Sequence, residues 1–338
     1  MTAASAVEMS PLVDRFGRAI TYLRVSITDR CDLRCVYCMA ERPDFLPKRD
    51  LLSLEELDRV ATAFIRRGVR KLRITGGEPL VRRGAVDLIH ELGRHLRAGD
   101  LDELTLTTNG TQLAVHAAAL ARAGVRRVNV SLDTLDAVRF AAITRGGRLA
   151  DTLAGIAAAR EAGLAVKLNT VVLGGVNDDE LGALVAFAHE GGMDISFIEV
   201  MPIGEEGFGR GDRFVPLDRV REGLAQRFAL IPSLHRSGGP ARYWQVAETG
   251  RRVGFIAATT CSFCATCNRV RITASGRLET CLGREESVDL KGPLRLDQTG
   301  RELHRAIDAA IAAKPAGHDF AEAWSRPATR RGMHVTGG

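Results

Sequence analysis

Aromatic residues are scarce in this chain, 5% of 338 residues, with two tryptophans and three tyrosines. No block of Lys and Arg is interleaved with them. The stacking platforms that single-stranded nucleic acids use are therefore missing, and no nucleic acid is expected as a partner. Long apolar runs are absent too. No stretch of 18 apolar residues occurs, which leaves no candidate membrane-spanning helix, and no membrane association is expected. Residues 1–19 lack an apolar core, so no signal peptide is expected and the cytoplasm is the expected location. The net charge of +6, from 47 basic and 41 acidic residues, fits an anionic partner and by itself says little more. Hydrophobic residues at 45% and charged residues at 26% are ordinary for a globular protein with an ample core.

What the chain does have is cysteine. Seven fall in two groups, 31/35/38 and 261/264/267/281, and without secretory marks that favours metal over disulfides. The first group is a CxxxCxxC cassette, Cys31-Asp32-Leu33-Arg34-Cys35-Val36-Tyr37-Cys38. It follows Tyr22–Ile27, whose alternation and β-branched residues predict a strand. A closed structural zinc site takes four protein ligands. Three thiolates on a cubane iron–sulfur cluster leave one iron free to hold a small molecule. The second group, Cys261-x2-Cys264-x2-Cys267-x13-Cys281, admits two readings on spacing alone. Four thiolates make a closed zinc or iron–sulfur site; three make a second open cluster with one cysteine spare. Asn268-Arg269-Val270-Arg271 follows Cys267, and on a strand its two arginines share a face, as phosphate recognition favours.

Along the chain, residues 1–14 read as a loose arm, and a βα rhythm then runs to about residue 205. Strands are expected at 21–27, 71–75, 102–107, 126–131, 164–173 and 194–200. Helices are expected near 53–67, 84–97, 112–123, 134–160 and 178–190, the first opened by the capping box Ser53-Leu54-Glu55-Glu56. Strands alternating with helices imply a parallel sheet, and six units suggest a barrel left incomplete or closed by something else. Polar motifs stand at the strand ends: Cys31–Cys38, Thr75-Gly76-Gly77-Glu78-Pro79, Thr107-Thr108-Asn109-Gly110, Ser131-Leu132-Asp133, Lys167 with Asn169, and Glu199 to Pro202. Six such motifs on one rim predict an active site there. Beyond Gly204 the rhythm changes to a helix at 216–228 and short strands at 242–247, 252–257, 269–274 and 277–281. The expected division is an arm (1–14), a barrel region (15–205) and a C-terminal region (206–338).

With both cysteine groups in view, the chain resembles the GTP 3′,8-cyclases, a radical S-adenosylmethionine (SAM) family of molybdenum cofactor biosynthesis. The resemblance runs from Asp14-Arg15-Phe16-Gly17-Arg18 to Gly337-Gly338, through LRVSITDRCDLRCVYCM, LRITGGEPL, LTTNG, VNVSLD and FCATCNRVR. It implies an α/β fold, an incomplete (β/α)6 TIM-type barrel of the radical SAM kind with a C-terminal extension carrying a second iron–sulfur cluster. The implied cofactors are two [4Fe-4S] clusters and S-adenosyl-L-methionine. Cys31, Cys35 and Cys38 would ligate the first cluster and act in catalysis with Gly337 and Gly338 of the tail. Cys264, Cys267 and Cys281 would ligate the second. Tyr37, Gly77, Ser131 and Met201 match SAM-contacting positions. Arg24, Lys71, Arg73, Thr107, Lys167, Arg269 and Arg271 match GTP-binding positions.

The implied reaction turns GTP into (8S)-3′,8-cyclo-7,8-dihydroguanosine 5′-triphosphate by hydrogen abstraction from C3′ and attack on C8. The expected partners are GTP, a downstream cyclic pyranopterin monophosphate synthase, an electron donor such as flavodoxin or ferredoxin, and a second copy of the chain in a homodimer. Three positions depart from the family pattern. Ser196 stands where Arg is common, so an arginine introduced there is expected to improve GTP affinity. Cys261 is an extra thiol, and Asp32 replaces a frequent Asn. Two other readings compete. A radical SAM peptide-maturing enzyme would carry more C-terminal cysteines and would not need the Arg269/Arg271 pair. A basic, zinc-stabilised nucleic-acid-binding protein would be colourless, where an iron–sulfur protein is brown.

Overall fold

The six strands of the βα rhythm divide their side chains between two environments. β1 (Tyr22–Ser26), β2 (Lys71–Thr75), β3 (Glu103–Thr108), β4 (Arg127–Ser131), β5 (Ala165–Val172) and β6 (Asp194–Glu199) run parallel and in sequence order. Residues 10–204, 209–261, 263–318, 320, 323 and 327–337 are described in this computed structural model. Because a strand alternates its faces, Leu23 and Val25, Leu72 and Ile74, Leu104 and Leu106, and Val128 and Val130 all point one way and are buried. They form one core with Leu57, Val60 and Phe64 of α1 (Leu54–Ile65), Leu88, Ile89 and Leu92 of α2 (Ala85–Arg97), and Leu113 and Leu120 of α3 (Leu113–Arg122). Each such leucine contributes about 1.5–3 kcal/mol on burial. The alternate residues, Tyr22, Arg24, Lys71, Arg73, Thr105, Thr107, Arg127 and Asn129, point the other way.

The capping box is formed: Ser53 N donates to Glu56 Oε2 at 2.8 Å, and Glu56 N to Ser53 Oγ at 3.1 Å. The long helical stretch at 134–160 is two helices, α4 (Ala137–Thr144) and α5 (Leu149–Glu161), broken where Arg145 takes a positive φ of 54°. α6 (Leu181–Glu190) leads into β6. Beyond it lie β7 (Leu230–Ser233), β8 (Arg242–Val246), β9 (Arg252–Ile256), β10 (Arg269–Ile272), β11 (Arg277–Glu279) and β12 (Val288–Asp289).

Among the described residues these strands form one sheet in the order β12-β11-β10-β1-β2-β3-β4-β5-β6-β9-β8-β7. The change of rhythm near residue 205 is therefore no break in the sheet. The C-terminal region adds β9 in parallel beside β6 and β10 in parallel beside β1. The chain passes from one end of the parallel run to the other between β9 and β10, and that crossing carries Cys261, Cys264 and Cys267, while Cys281 follows β11.

Residues 10–14, expected within the loose arm, are packed. Leu12 and Asp14 are buried, and Leu12 exchanges backbone hydrogen bonds with Arg67 and Ile20. The helix Arg301–Ala312, not among the expected elements, packs its apolar stripe of Leu303, Ile307, Ala310 and Ile311 into the core.

Candidate active site

The polar faces of the parallel strands border a cavity of about 280 Å³. Cys31, Cys35 and Cys38 line it, and so do Cys264, Cys267 and Cys281; Cys261 is not among its lining residues. Tyr37, Gly77, Ser131 and Met201 reach it, as do Arg24, Arg73, Thr107, Lys167, Arg269, Arg271 and Gly337 of the tail. Lys71 is the exception among the expected positions. It lies behind the cavity wall, its Nζ held at 2.6 Å by the carbonyl of Ser237 and at 2.5 Å by Glu103. Gly338 lies outside the described residues.

The cassette is seated by backbone hydrogen bonds that leave its sulfurs facing inward. Arg34 N donates to Thr144 O and Val36 N to Ile143 O, tying it to the end of α4. Beside it runs the Gly76-Gly77-Glu78 edge, with Gly77 N on Thr28 O at 2.9 Å and Glu78 N on Arg30 O at 2.8 Å. A Cβ at Gly77 would stand 2.5 Å from Arg30 O, so only glycine permits this approach. Glu78 locks the turn by accepting from Leu80 N, Asn109 N and Thr108 Oγ1, and burial pushes its carboxyl up to about 7. Tyr37 donates to Asp133 at 2.7 Å, which fixes the tyrosine ring at the cavity edge. Asp32 accepts from Asn109 Nδ2 at 2.7 Å and Thr111 Oγ1 at 2.6 Å, joining the cassette to the end of β3. Burial, with Glu78 and Asp32 adding to it, pushes the Cys31 thiol up to about 12, and burial raises Cys35 as well. These sulfurs would become thiolates only beside a strong cationic centre, as bound iron provides.

Sheet register gathers the arginines. Arg271, Arg24 and Arg73 stand side by side on β10, β1 and β2, with Arg269 beside Tyr22 in the neighbouring row. Burial lowers Arg24, Arg73 and Arg271; Arg271 and Arg73 depress Arg24 further, Arg127 depresses Arg73 and Arg269 depresses Arg271. In Tyr22 burial acts upward, but Arg73, Arg24 and Lys71 outweigh it and bring the phenol down to about 8. Glu103 is committed to Lys71 and Arg127, and Glu279, the register partner of Arg271, pairs with Arg331 at 2.9 Å. Arg73 Nε, Arg271 Nε and Thr107 Oγ1 are buried without a hydrogen-bond partner among the described residues. Buried donors and like charges left in this state call for an anionic ligand.

Comparison with known proteins agrees with this geometry. Residues 25–188 match the radical SAM superfamily, and residues 193–320 match the family described as Molybdenum Cofactor Synthesis C. GTP 3′,8-cyclase of Rhodopseudomonas palustris is 59% identical over 330 residues, 97% of this chain and 96% of the relative. That of Bradyrhizobium diazoefficiens is 58% identical over 331 residues, with the same coverage. The chain belongs to the GTP 3′,8-cyclase family. At the level of fold it is also similar to Streptococcus suis SuiB bound to S-adenosylmethionine, with a TM-score of 0.60 at 17% identity, covering 95% of this chain and 79% of that one.

Within this GTP 3′,8-cyclase family member, three further residues, none of them among the expected site positions, organise the second cysteine group. Lys314, 2% exposed, donates to the carbonyls of Arg269 (3.0 Å) and Thr280 and reaches Cys267 Sγ at 3.7 Å. Burial acts upward on Cys267, but Arg269 and Lys314 outweigh it and hold the thiol below its ordinary value. Asp14 pairs with Arg18 at 2.5 Å, and Arg18 NH1 donates to the carbonyl of Cys264 at 2.8 Å. No local pattern announces Lys314, because its partners are brought to it by β10 and the chain after β11. Among the described residues, no three His, Cys, Asp or Glu side chains converge as ligands of a single ion.

Ser196 is fully buried, is not among the cavity-lining residues, and faces Gly254 across the β6–β9 register. A Cβ at Gly254 would meet Ser196 Oγ at 2.4 Å and the Tyr243 ring at 2.9 Å, so the space between these strands is already closely filled.

Proposed function

We propose that this chain is a radical SAM lyase that converts GTP to (8S)-3′,8-cyclo-7,8-dihydroguanosine 5′-triphosphate. The observation that carries the reading is the half-buried row Arg271–Arg24–Arg73, with the buried and unpartnered Nε donors of Arg73 and Arg271, on a cavity that Cys31, Cys35 and Cys38 and Cys264, Cys267 and Cys281 line. Three cysteines per group fit a cubane cluster with one iron left open. When bound on Cys31, Cys35 and Cys38, a reduced [4Fe-4S] cluster supplies the electron that cleaves SAM and so the hydrogen-abstracting radical. A second cluster would be held by Cys264, Cys267 and Cys281, which line the same cavity.

The chain's own residues hold and shield the reactants. Tyr37, fixed by Asp133, and the Gly77 edge border the SAM side of the cavity. Arg24, Arg73, Arg269 and Arg271 take the triphosphate, with Thr107 offering its hydroxyl. A nucleotide anchored at its phosphates and at its base has its ribose held in place, which supplies the proximity a single hydrogen transfer needs. The tail, ending at Gly337 in the described residues, reaches the cavity and would exclude water. With this reading we place a one-electron donor of flavodoxin or ferredoxin type, a synthase that takes up the product, and a cytoplasmic location. No helix among the described residues is long and apolar enough to cross a membrane.

The likeness to SuiB is one of fold and does not favour a peptide substrate. The deciding experiment is anaerobic incubation of reconstituted protein with GTP, SAM and dithionite. Removing one hydrogen from C3′ and returning one electron and one proton leaves a product isomeric with GTP. A new isomer appearing together with 5′-deoxyadenosine is the expected result; 5′-deoxyadenosine alone, with GTP recovered unchanged, contradicts the reading.

A further inference from the structure

Two lysines from distant strands are tied to one surface connection. Lys71 on β2 donates from Nζ to the carbonyl of Ser237 at 2.6 Å, and Lys167 on β5 donates to the hydroxyl of Tyr243 at 2.6 Å. The Tyr243 hydroxyl donates in turn to Ser237 Oγ at 3.0 Å, so both ammoniums are tied to Ser237, Lys71 at its carbonyl and Lys167 through Tyr243 at its hydroxyl. Ser237 lies in the β7–β8 connection, and its neighbours Gly239, Pro240 and Ala241 form part of the cavity wall.

The ring of Tyr243 can take this course because of Gly254. The two residues are register partners on β8 and β9, and a Cβ at 254 would press to 2.9 Å from the ring. Without one, the ring crosses over β9 toward β5 and is 4% exposed, with the edge of His235 against it at a centroid distance of 4.9 Å. Lys167 itself is 8% exposed, and the charges facing it are Arg127, Arg73 and Lys71 with a single acid, Asp194. That acid is committed to Arg252 through two contacts of 3.0 Å. Tyr243 is thus the group that fixes the direction of the Lys167 ammonium.

Lysine is a point charge on a flexible stem, and ordering it on binding costs affinity unless it is already held. We propose that Tyr243, backed by Ser237, is a positioning residue that aims Lys167 at the polyphosphate of the nucleotide substrate, and that the β7–β8 connection is part of the substrate site. This rests on the function proposed above.

The test uses cluster-loaded protein under anaerobic conditions, with GTP and guanosine as the two probes. Tyr243→Phe keeps the ring and removes the hydroxyl. GTP affinity is expected to fall about tenfold, the order for one hydrogen bond to a charged group, with guanosine affinity within about twofold of wild type. The pH above which GTP affinity declines should move downward, because Lys167 loses its acceptor. In a Lys167→Ala background Tyr243→Phe should add little, as expected for residues acting through one another. A merely structural tyrosine would lower both affinities together and leave the pH profile in place. Wild-type GTP affinity and pH profile in Tyr243→Phe, or an undiminished loss in the Lys167→Ala background, overturn the proposal alone. Failure of the wild-type protein to bind GTP overturns the proposed function, and this proposal with it.

Discussion

The backbone N–H of Met333 donates to the carbonyl of Cys38 at 3.2 Å, so the chain's tail is bonded to the last cysteine of the cassette near its start. The same tail pairs Thr329 with Ile203, and its Arg331 with the buried Glu279 at 2.9 Å. It ends, among the described residues, with the Gly337 carbonyl accepting from Arg24 NH2 at 3.2 Å. Segments carrying both cysteine groups and the arginine row thus meet the tail.

Gly337 has a φ of +80°, and a Cβ there would fall 2.1 Å from Thr75 Oγ1. Gly337→Ala, and deletion of Gly337 with Gly338, should leave iron content and SAM binding unchanged. Cyclised product per 5′-deoxyadenosine should fall by about a hundredfold, the order for a misplaced reacting geometry. Product analysis by mass spectrometry reads the ratio, and an undiminished ratio would mean the tail is an ordinary chain end.

The arginine row makes a separate prediction. Arg73→Ala and Arg271→Ala should each weaken GTP binding by about 1.5–3 kcal/mol. Guanosine, which lacks the phosphates, should bind weakly to wild type and change little in the variants. Equal losses for both ligands, measured by calorimetry on anaerobic protein, would show the arginines to be supports of the sheet.

Binding should also depend on pH. Burial, with Arg127 and Arg73 beside it, brings Lys167 down to about 7, and Tyr22 titrates near 8. A bound triphosphate favours the ammonium and raises its pKa, so below about pH 7 the site is already charged and above it binding must take up a proton. Ionisation of Tyr22 adds negative charge beside the arginines, which acts in the same direction. GTP affinity should therefore fall from pH 7 to 9, by up to about tenfold per unit. Lys167→Met should flatten the lower part of that profile; a flat profile in wild type would show that Lys167 keeps its charge throughout.

Cys261 is partly exposed and absent from the cavity lining that Cys264, Cys267 and Cys281 share. Cys261→Ala should keep about eight irons per chain, and Cys267→Ala about four, on a count of two cubanes. Iron loss in the Cys261 variant would make that thiol a ligand.

Much of this was legible from local signals. The strands were readable because β1 to β5 alternate an apolar face with a polar one, and the start of α1 because Ser53 and Glu56, three positions apart, cap each other. The cassette and the Arg269/Arg271 pair were readable for the same reason: their spacing is local. Lys314, Tyr243 and Glu279 were not, since each is defined by partners on strands far away in sequence. The ring of Tyr243 over Gly254, beside Ser196, is likewise invisible to local spacing, because β8 brings it there.

The central claim is that C3′ of GTP gives up its hydrogen within this cavity. GTP carrying deuterium at C3′ tests it directly, in an anaerobic turnover with SAM and dithionite. The account predicts deuterium in the recovered 5′-deoxyadenosine and a product isomeric with GTP that has lost it. Formation of 5′-deoxyadenosine free of deuterium, with the label still in the nucleotide, would contradict it.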